Sequence, residues 1–171
     1  FGVLIERPGV PLDQTKPTQM GWKLGVDYQP YGFSESGVAA GDLAFVGYGV
    51  SSPTYDDYAG IDVKGKIVIM MRGWPKWADK DESFKQLSSI RTKATTAREK
   101  GALAVIFVNK NGDTADVLQR FGLDRLGKNS GVLAMQARRT PCAKVFPPKG
   151  TSLFVAETEI EKTKKPMSFV L

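Results

Sequence analysis

The sequence predicts an α/β domain rich in strand, and three observations predict it. Two apolar runs, residues 67–71 (IVIMM) and 103–108 (LAVIFV), are continuous rather than alternating, the pattern of strands covered on both faces. Between them Phe84, Leu87, Ile90, Ala94 and Ala97 recur at the spacing of an amphipathic helix. Eighteen Gly and ten Pro among 171 residues call for many turns and short strands. A strand, a helix and a second strand in that order imply a right-handed crossover in a partly parallel sheet.

The elements follow in chain order. Residues 1–5 are apolar, but Pro8, Pro11 and Pro17 block regular structure, so residues 1–20 read as an edge strand and loop leading in. Residues 22–28 alternate well enough for a strand, and residues 31–37 lead into a turn. Phe45, Val46, Tyr48 and Val50 are strand formers interrupted by Gly47 and Gly49, which mark a bulge or a close backbone approach. The breaker Ser51-Ser52-Pro53 and the acidic turn Tyr55-Asp56-Asp57-Tyr58 follow, and Gly60 and Gly65 lead into the first continuous strand. The helical pattern takes Ser83 as N-cap and ends at Lys100 and Gly101, with Lys85, Arg91, Lys93, Arg98 and Glu99 on its solvent side. Residues 109–113 form a turn. Residues 115–126 have near-helical spacing broken by Gly122. Residues 131–135 read as a strand, and Thr140-Pro141 opens a helical turn. Residues 153–156 read as strand and 157–162 as helix, an ambiguous stretch; residues 168–171 close as a strand.

Composition excludes several kinds of chemistry. The length suits one domain with a sizeable core. No apolar run approaches the ~20 residues that span a bilayer. No signal peptide is visible and the chain does not begin with Met, so a fragment or processed product is expected. The single Cys142 allows no internal disulfide and, in a short helical pattern, reads as a small buried side chain. There is no histidine, hence no Ser-His-Asp triad, no Cys-His pair and no imidazole for zinc. A net charge of +6 and a pI near 9.4 raise nucleic-acid binding. The basic residues alternate with acids, and no nucleic-acid-binding motif occurs, so a solvated basic surface is preferred.

Two clusters stand out as candidate sites. Tyr55, Asp56, Asp57, Tyr58 and Asp62 gather the densest carboxylates. Calcium needs six to eight oxygens, and the EF-hand spacing is missing; the preferred reading is a structural turn whose Asp side chains accept backbone N–H groups. Arg72, Trp74 and Trp77 form the candidate interaction loop, since exposed aromatics and Arg dominate interfaces; the competing reading folds both indoles onto the core. Gly47-Tyr48-Gly49 lacks the third glycine and following helix of a dinucleotide fingerprint, and Gly65-Lys66-Ile67 is no P-loop. No catalytic, cofactor or metal residue is assigned.

FVGYG followed by YDDYAGIDVKGKIV resembles the protease-associated (PA) domain in the form inserted into secreted M28-type zinc aminopeptidases. The segment with Asp27, Tyr28, Pro30, Phe33, Ser34 and Gly37, the stretch KATTAREKGALAVIFVN and the closing KPMSF resemble that family in the same order, from about Leu24 onward. The resemblance implies a single PA-like domain over residues 1–171, with 165–171 returning to a peptidase. It implies a β/β/α layered fold: a mixed central sheet, a second antiparallel sheet and two or three flanking helices, one of them a short helix near residue 157. It further implies a non-catalytic accessory role, shaping substrate access or mediating protein contacts. The partners it implies are the catalytic domain of the same parent chain and peptide substrate, with zinc held by that catalytic domain and an extracellular or periplasmic location. The alternatives are a PA-type peptide- or protein-binding module of another protease or receptor and, from another class, a basic nucleic-acid-binding domain.

Overall fold

The computed structural model describes residues 21–112, 115–120, 122, 130–147 and 151–171. The lead-in at residues 1–20, and residues 121 and 123–126 of the 115–126 stretch, lie outside them. Among the described residues the strands are β1 (Tyr28–Pro30), β2 (Leu43–Val46), β3 (Ile67–Met71), β4 (Ala104–Val108), β5 (Leu133–Ala137) and β6 (Ser168–Val170). The helices are α1 (Glu82–Leu87), α2 (Ile90–Glu99), α3 (Arg139–Ala143) and α4 (Leu153–Thr163), with a 3-10 turn at Lys76–Ala78.

All six strands form one sheet in the order β1-β5-β4-β3-β2-β6. The middle four are parallel, and the central register pairs Ile69 with Ile106 and Ile106 with Met135. The antiparallel pairings are the two edges, β1 on β5 and β6 on β2. The fold is thus α/β with a mixed sheet, as predicted. The antiparallel strands expected as a second layer are the margins of the first, and among the described residues four helices form rather than two or three.

Both faces of the sheet are covered, which explains the unbroken apolar runs. One face carries Phe45, Ile69, Met71, Ile106 and Val108, packed by Phe84, Cys142, Phe146, Leu153, Ala156 and Ile160. The other carries Ala44, Val46, Val68, Met70, Val105, Phe107 and Ala134, packed by Ala94, Ala97, Tyr58 and Val63. Each large side chain so buried contributes about 1.5–3 kcal/mol.

The expected long helix is two helices, and the break switches faces. Phe84 and Leu87 pack on the first face, Ile90, Ala94 and Ala97 on the second. Asp81, not Ser83, caps α1 by accepting from the Phe84 N–H, and Ser89 caps α2 by accepting from Thr92. Ser88 Oγ donates back to the Phe84 carbonyl, a local bond that competes with helix continuation. Gly101, at φ 88, closes α2 as expected.

Other boundaries move for local reasons. The strand expected over residues 22–28 is a turn at 25–27, where Lys23 N donates to Asp27 Oδ2, so β1 begins only at Tyr28. Residues 115–120 are not helical. The strand placed at 131–135 is shifted to β5, two residues later. The ambiguous stretch after Ser152 is helix throughout, with the Ser152 side chain accepting from Val155 N.

Candidate functional site

Because β2, β3, β4 and β5 are parallel, their carboxyl ends share one rim, the place where open α/β sheets bind ligands. Three polar assemblies occupy it.

The first is built around Asp57. β2 stops at Val46 because Gly47 (φ 47) and Gly49 (φ 71) turn the chain. With these positive angles the N–H groups of Tyr48 and Val50 converge on one oxygen, Asp57 Oδ2, at 3.1 and 3.0 Å. This is a backbone nest of the kind that binds anions, filled by the protein's own carboxylate. A Cβ at Gly47 would collide with Asp57 Oδ1, and one at Gly49 would lie 2.5 Å from Met70 Sδ. Asp57 Oδ1 accepts from the Tyr55 hydroxyl at 3.0 Å, and the Asp57 carbonyl accepts from Ser168 Oγ on β6. Asp57 is 0% exposed. Burial pushes its carboxyl up to about 7, against the pull of these donors and of Lys93. The same burial, with the Asp57 charge added, drives the Tyr55 hydroxyl far above its ordinary value.

The neighbouring acids do smaller work. Asp56 Oδ1 accepts from Tyr58 N and Asp62 Oδ1 from Lys64 N, each closing its own turn.

The second assembly is Lys93. Its solvent-side assignment is wrong: it is 0% exposed. Its Nζ donates to the Met71 carbonyl at 3.1 Å and to the Gly73 carbonyl, and lies 5.6 Å from the centre of the Tyr48 ring. Burial lowers its ammonium to about 7; Asp57 opposes the shift, Lys110 and Arg72 add to it. Lys93 stands three residues after Ile90 and four before Ala97, on the apolar stripe itself. That spacing was the available signal.

The loop with Arg72, Trp74 and Trp77 is pinned along its length. Lys93 holds Gly73, Lys110 Nζ donates to the Trp74 carbonyl at 2.9 Å, and Lys76 N donates to Glu161 at 3.1 Å. Arg72 Nη1 donates to Asn109 Oδ1 at 2.8 Å. Both indoles are half-buried against the first core face. Trp77 packs with Tyr55 (ring centres 5.5 Å apart) and Phe84 (5.2 Å), while Trp74 Nε1 donates to Asp79 at 2.8 Å. Glu161 also accepts from the Tyr48 hydroxyl at 3.1 Å, so α4 joins this loop to the Gly47–Gly49 turn.

The third assembly, at the ends of β4 and β5, escaped sequence reading. Arg139 and Glu157 form a 2.7 Å ion pair with both side chains largely buried. Glu157 also accepts from Asn111 N at 2.8 Å, and Arg139 Nη1 donates to the Asn109 carbonyl at 2.7 Å. Gln136 Nε2 donates to Asn109 Oδ1 and to the Val117 carbonyl, and Asp116 accepts from Asn109 Nδ2 and Arg139 N. These residues lie 18 to 46 positions apart in the bonds that join Glu157 to Arg139 and Asn111, with no shared motif. Cys142, inside the first core, is fully buried, which pushes its thiol up to about 12.

Nearly every charged group on this rim is therefore spent on backbone carbonyls, N–H groups or a partner charge. The class so defined is an α/β domain whose carboxyl rim is laced together by its own polar side chains. The family profile of the PA domain matches residues 34–140, and the chain belongs to the PA domain family. No curated protein matches the chain in sequence. Among solved structures it is similar to an aminopeptidase from Aneurinibacillus sp. strain AM-1, with 24% identity and a TM-score of 0.49. That alignment covers 75% of this chain and 27% of the aminopeptidase.

Proposed function

We propose that this chain is the accessory, non-catalytic PA domain of a secreted M28-type zinc aminopeptidase, resting against the catalytic domain and shaping access to its cleft or mediating contacts with protein and peptide. The observation that carries the reading is the absence of histidine from all 171 residues. Hydrolysis by a bound metal needs a set of imidazole, thiolate or carboxylate ligands and an open coordination position. Here the one thiol is sealed in the core, and the buried carboxylates Asp57 and Glu157 are already bonded to donors of this chain. Among the described residues no group of three His, Cys, Asp or Glu is gathered to hold a metal. In this reading zinc belongs to the catalytic domain of the parent, as the family resemblance implies. The M28 assignment and the exported location rest on FVGYG, YDDYAGIDVKGKIV and KPMSF and on membership of the PA family.

The reading is tested by incubating the chain with aminoacyl-nitroanilides and added zinc. No release of nitroaniline is expected; release abolished by a chelator overturns the non-catalytic assignment. The parent is tested separately by sequencing downstream of residue 171. A His-x-Asp stretch followed by Glu-Glu is expected, and a catalytic domain of another class would reject the M28 assignment.

A further inference from the structure

A cavity of about 200 Å³ opens at the β1 margin of the sheet, with Gln29, Tyr31, Phe33, Gln119, Arg120 and Gln136 in its lining. β1 stands against β5 there, and Gln29 lies opposite Gln136 in the register. The walls are fixed by contacts within the chain. The Tyr31 and Phe33 rings stack with centres 5.2 Å apart, and Tyr31 meets Phe107 edge-on at 5.5 Å. The Gln136 amide is buried and held at both ends. Its Oε1 accepts from Gln119 N at 2.9 Å, and its Nε2 donates to Asn109 Oδ1 and to the Val117 carbonyl. A cavity shaped in advance loses little freedom when a ligand enters.

The charge around it is one-sided. Among the described lining residues Arg120 alone is a charged side chain, and it is exposed. Neither Arg120 nor the nearby Arg72 has an ion-pair partner among the described residues. Arg72 Nη1 donates to the neutral Asn109 Oδ1, and its Nε is buried with no hydrogen-bond partner among the described residues. The Tyr31 hydroxyl is buried and unpartnered in the same sense. Burial pushes that hydroxyl up to about 12 while the Arg72 charge draws it down, so the guanidinium lies within electrostatic reach of the cavity wall. Two cations without a carboxylate leave a positive potential that favours an anion.

The lining narrows the kind of anion. The cavity is below the roughly 300–1,000 Å³ of sites for larger ligands, so the bound group is small. A planar carboxylate takes two parallel N–H bonds from one guanidinium. Gln29 and Gln119 carry amides that both donate and accept, which suits an adjoining peptide group, and the Tyr31–Phe33 wall suits an apolar side chain. We propose that this cavity binds the α-carboxylate of an amino-acid residue, with Arg120 as its counter-ion. That carboxylate has two sources, a single residue and the C-terminal end of a peptide. The site is built from this chain's own residues and does not depend on the M28 assignment.

The test is a nitrogen-15 NMR titration of the chain at low salt with four probes: N-acetylalanine, N-acetylalanine amide, N-acetyl-trialanine and inorganic phosphate. N-acetylalanine is expected to shift the amide signals of Gly32, Gln119 and Gly122, which line the cavity, in a saturable way, and its amide to leave them in place. Arg120→Gln, at an exposed position, is expected to leave the rest of the spectrum unchanged and to weaken binding about tenfold. Tighter binding of N-acetylalanine assigns the site to single residues, and tighter binding of N-acetyl-trialanine to chain ends; either order supports the carboxylate site. The proposal is overturned by the absence of saturable shifts, by equal shifts with the amide, by phosphate binding more tightly than both carboxylates, or by undiminished affinity in Arg120→Gln.

Discussion

Asp57 and Glu157 are both buried at the carboxyl rim, one beside the ends of β2 and β3, the other beside β4 and β5. Glu157 meets a guanidinium at 2.7 Å and a backbone N–H at 2.8 Å. Asp57 meets two N–H groups and a phenol, and the cation nearest to it in effect, Lys93, gives its hydrogen bonds to carbonyls instead. A carboxylate matched by a fixed opposite charge braces its surroundings. One held by neutral donors in a dry site sits close to protonation. The β4–β5 half of the rim is therefore a brace, and the β2–β3 half is the part able to respond.

The comparison is broken most severely by Glu157→Ala. It strands the buried Arg139 guanidinium, and a loss of about 3–5 kcal/mol is expected in urea unfolding. A cost no greater than that of Asp57→Asn would remove the distinction between the two halves.

The pH dependence of stability sharpens it next. The folded carboxyl of Asp57 lies above its unfolded value, so its contribution is fully present below about 4 and is lost as pH rises through about 7. Lys93 has the opposite sign: its folded value lies below the unfolded one, so its contribution is present above about 10.5 and is lost as pH falls through about 7. The unfolding free energy should pass through a minimum near neutrality, each limb worth at most about 1.4 kcal/mol per pH unit. Asp57→Asn is expected to flatten the acid limb and Lys93→Met the alkaline one, both read from denaturant titrations across the range.

A smaller effect is expected from Gly49→Ala, about 1–3 kcal/mol, because the new Cβ meets Met70 Sδ at 2.5 Å and the backbone is held at φ 71. A thermal melt detects it; an unchanged midpoint would mean that the nest around Asp57 relaxes freely. Smallest is Ser89→Ala, about 1 kcal/mol, from loss of the cap that starts α2 after the change of face. A melt indistinguishable from the native one would show that packing alone sets that helix start.

The readable parts of this protein were those governed by short-range rules. β3 and β4 were visible as unbroken apolar runs, and Gly101 as the end of α2, since only glycine accepts its backbone angle without strain. Lys93 was misplaced although it lay on the apolar stripe, because residue type suggested water and only burial under the β3 end shows why an ammonium is tolerated there. The split between α1 and α2 was hidden because the spacing from Phe84 to Ala97 is continuous while the surfaces they cover lie on opposite sides of the sheet. The two tryptophans drew notice by composition, but whether an indole faces outward depends on Tyr55 and Phe84, which reach it through packing.

Residue order settled what depends on near neighbours or on a count: the strand runs, most turns, the PA signature and, through the missing imidazoles, the lack of a histidine-based catalytic site. The assembled fold settled where charge is buried and what answers it. Asp57 finds Tyr48 and Val50 only because two glycines bend the chain back. Arg139 finds Glu157 across a separation no local pattern encodes, because buried electrostatics follows distance in space and exclusion of water, and neither is written in adjacent residues.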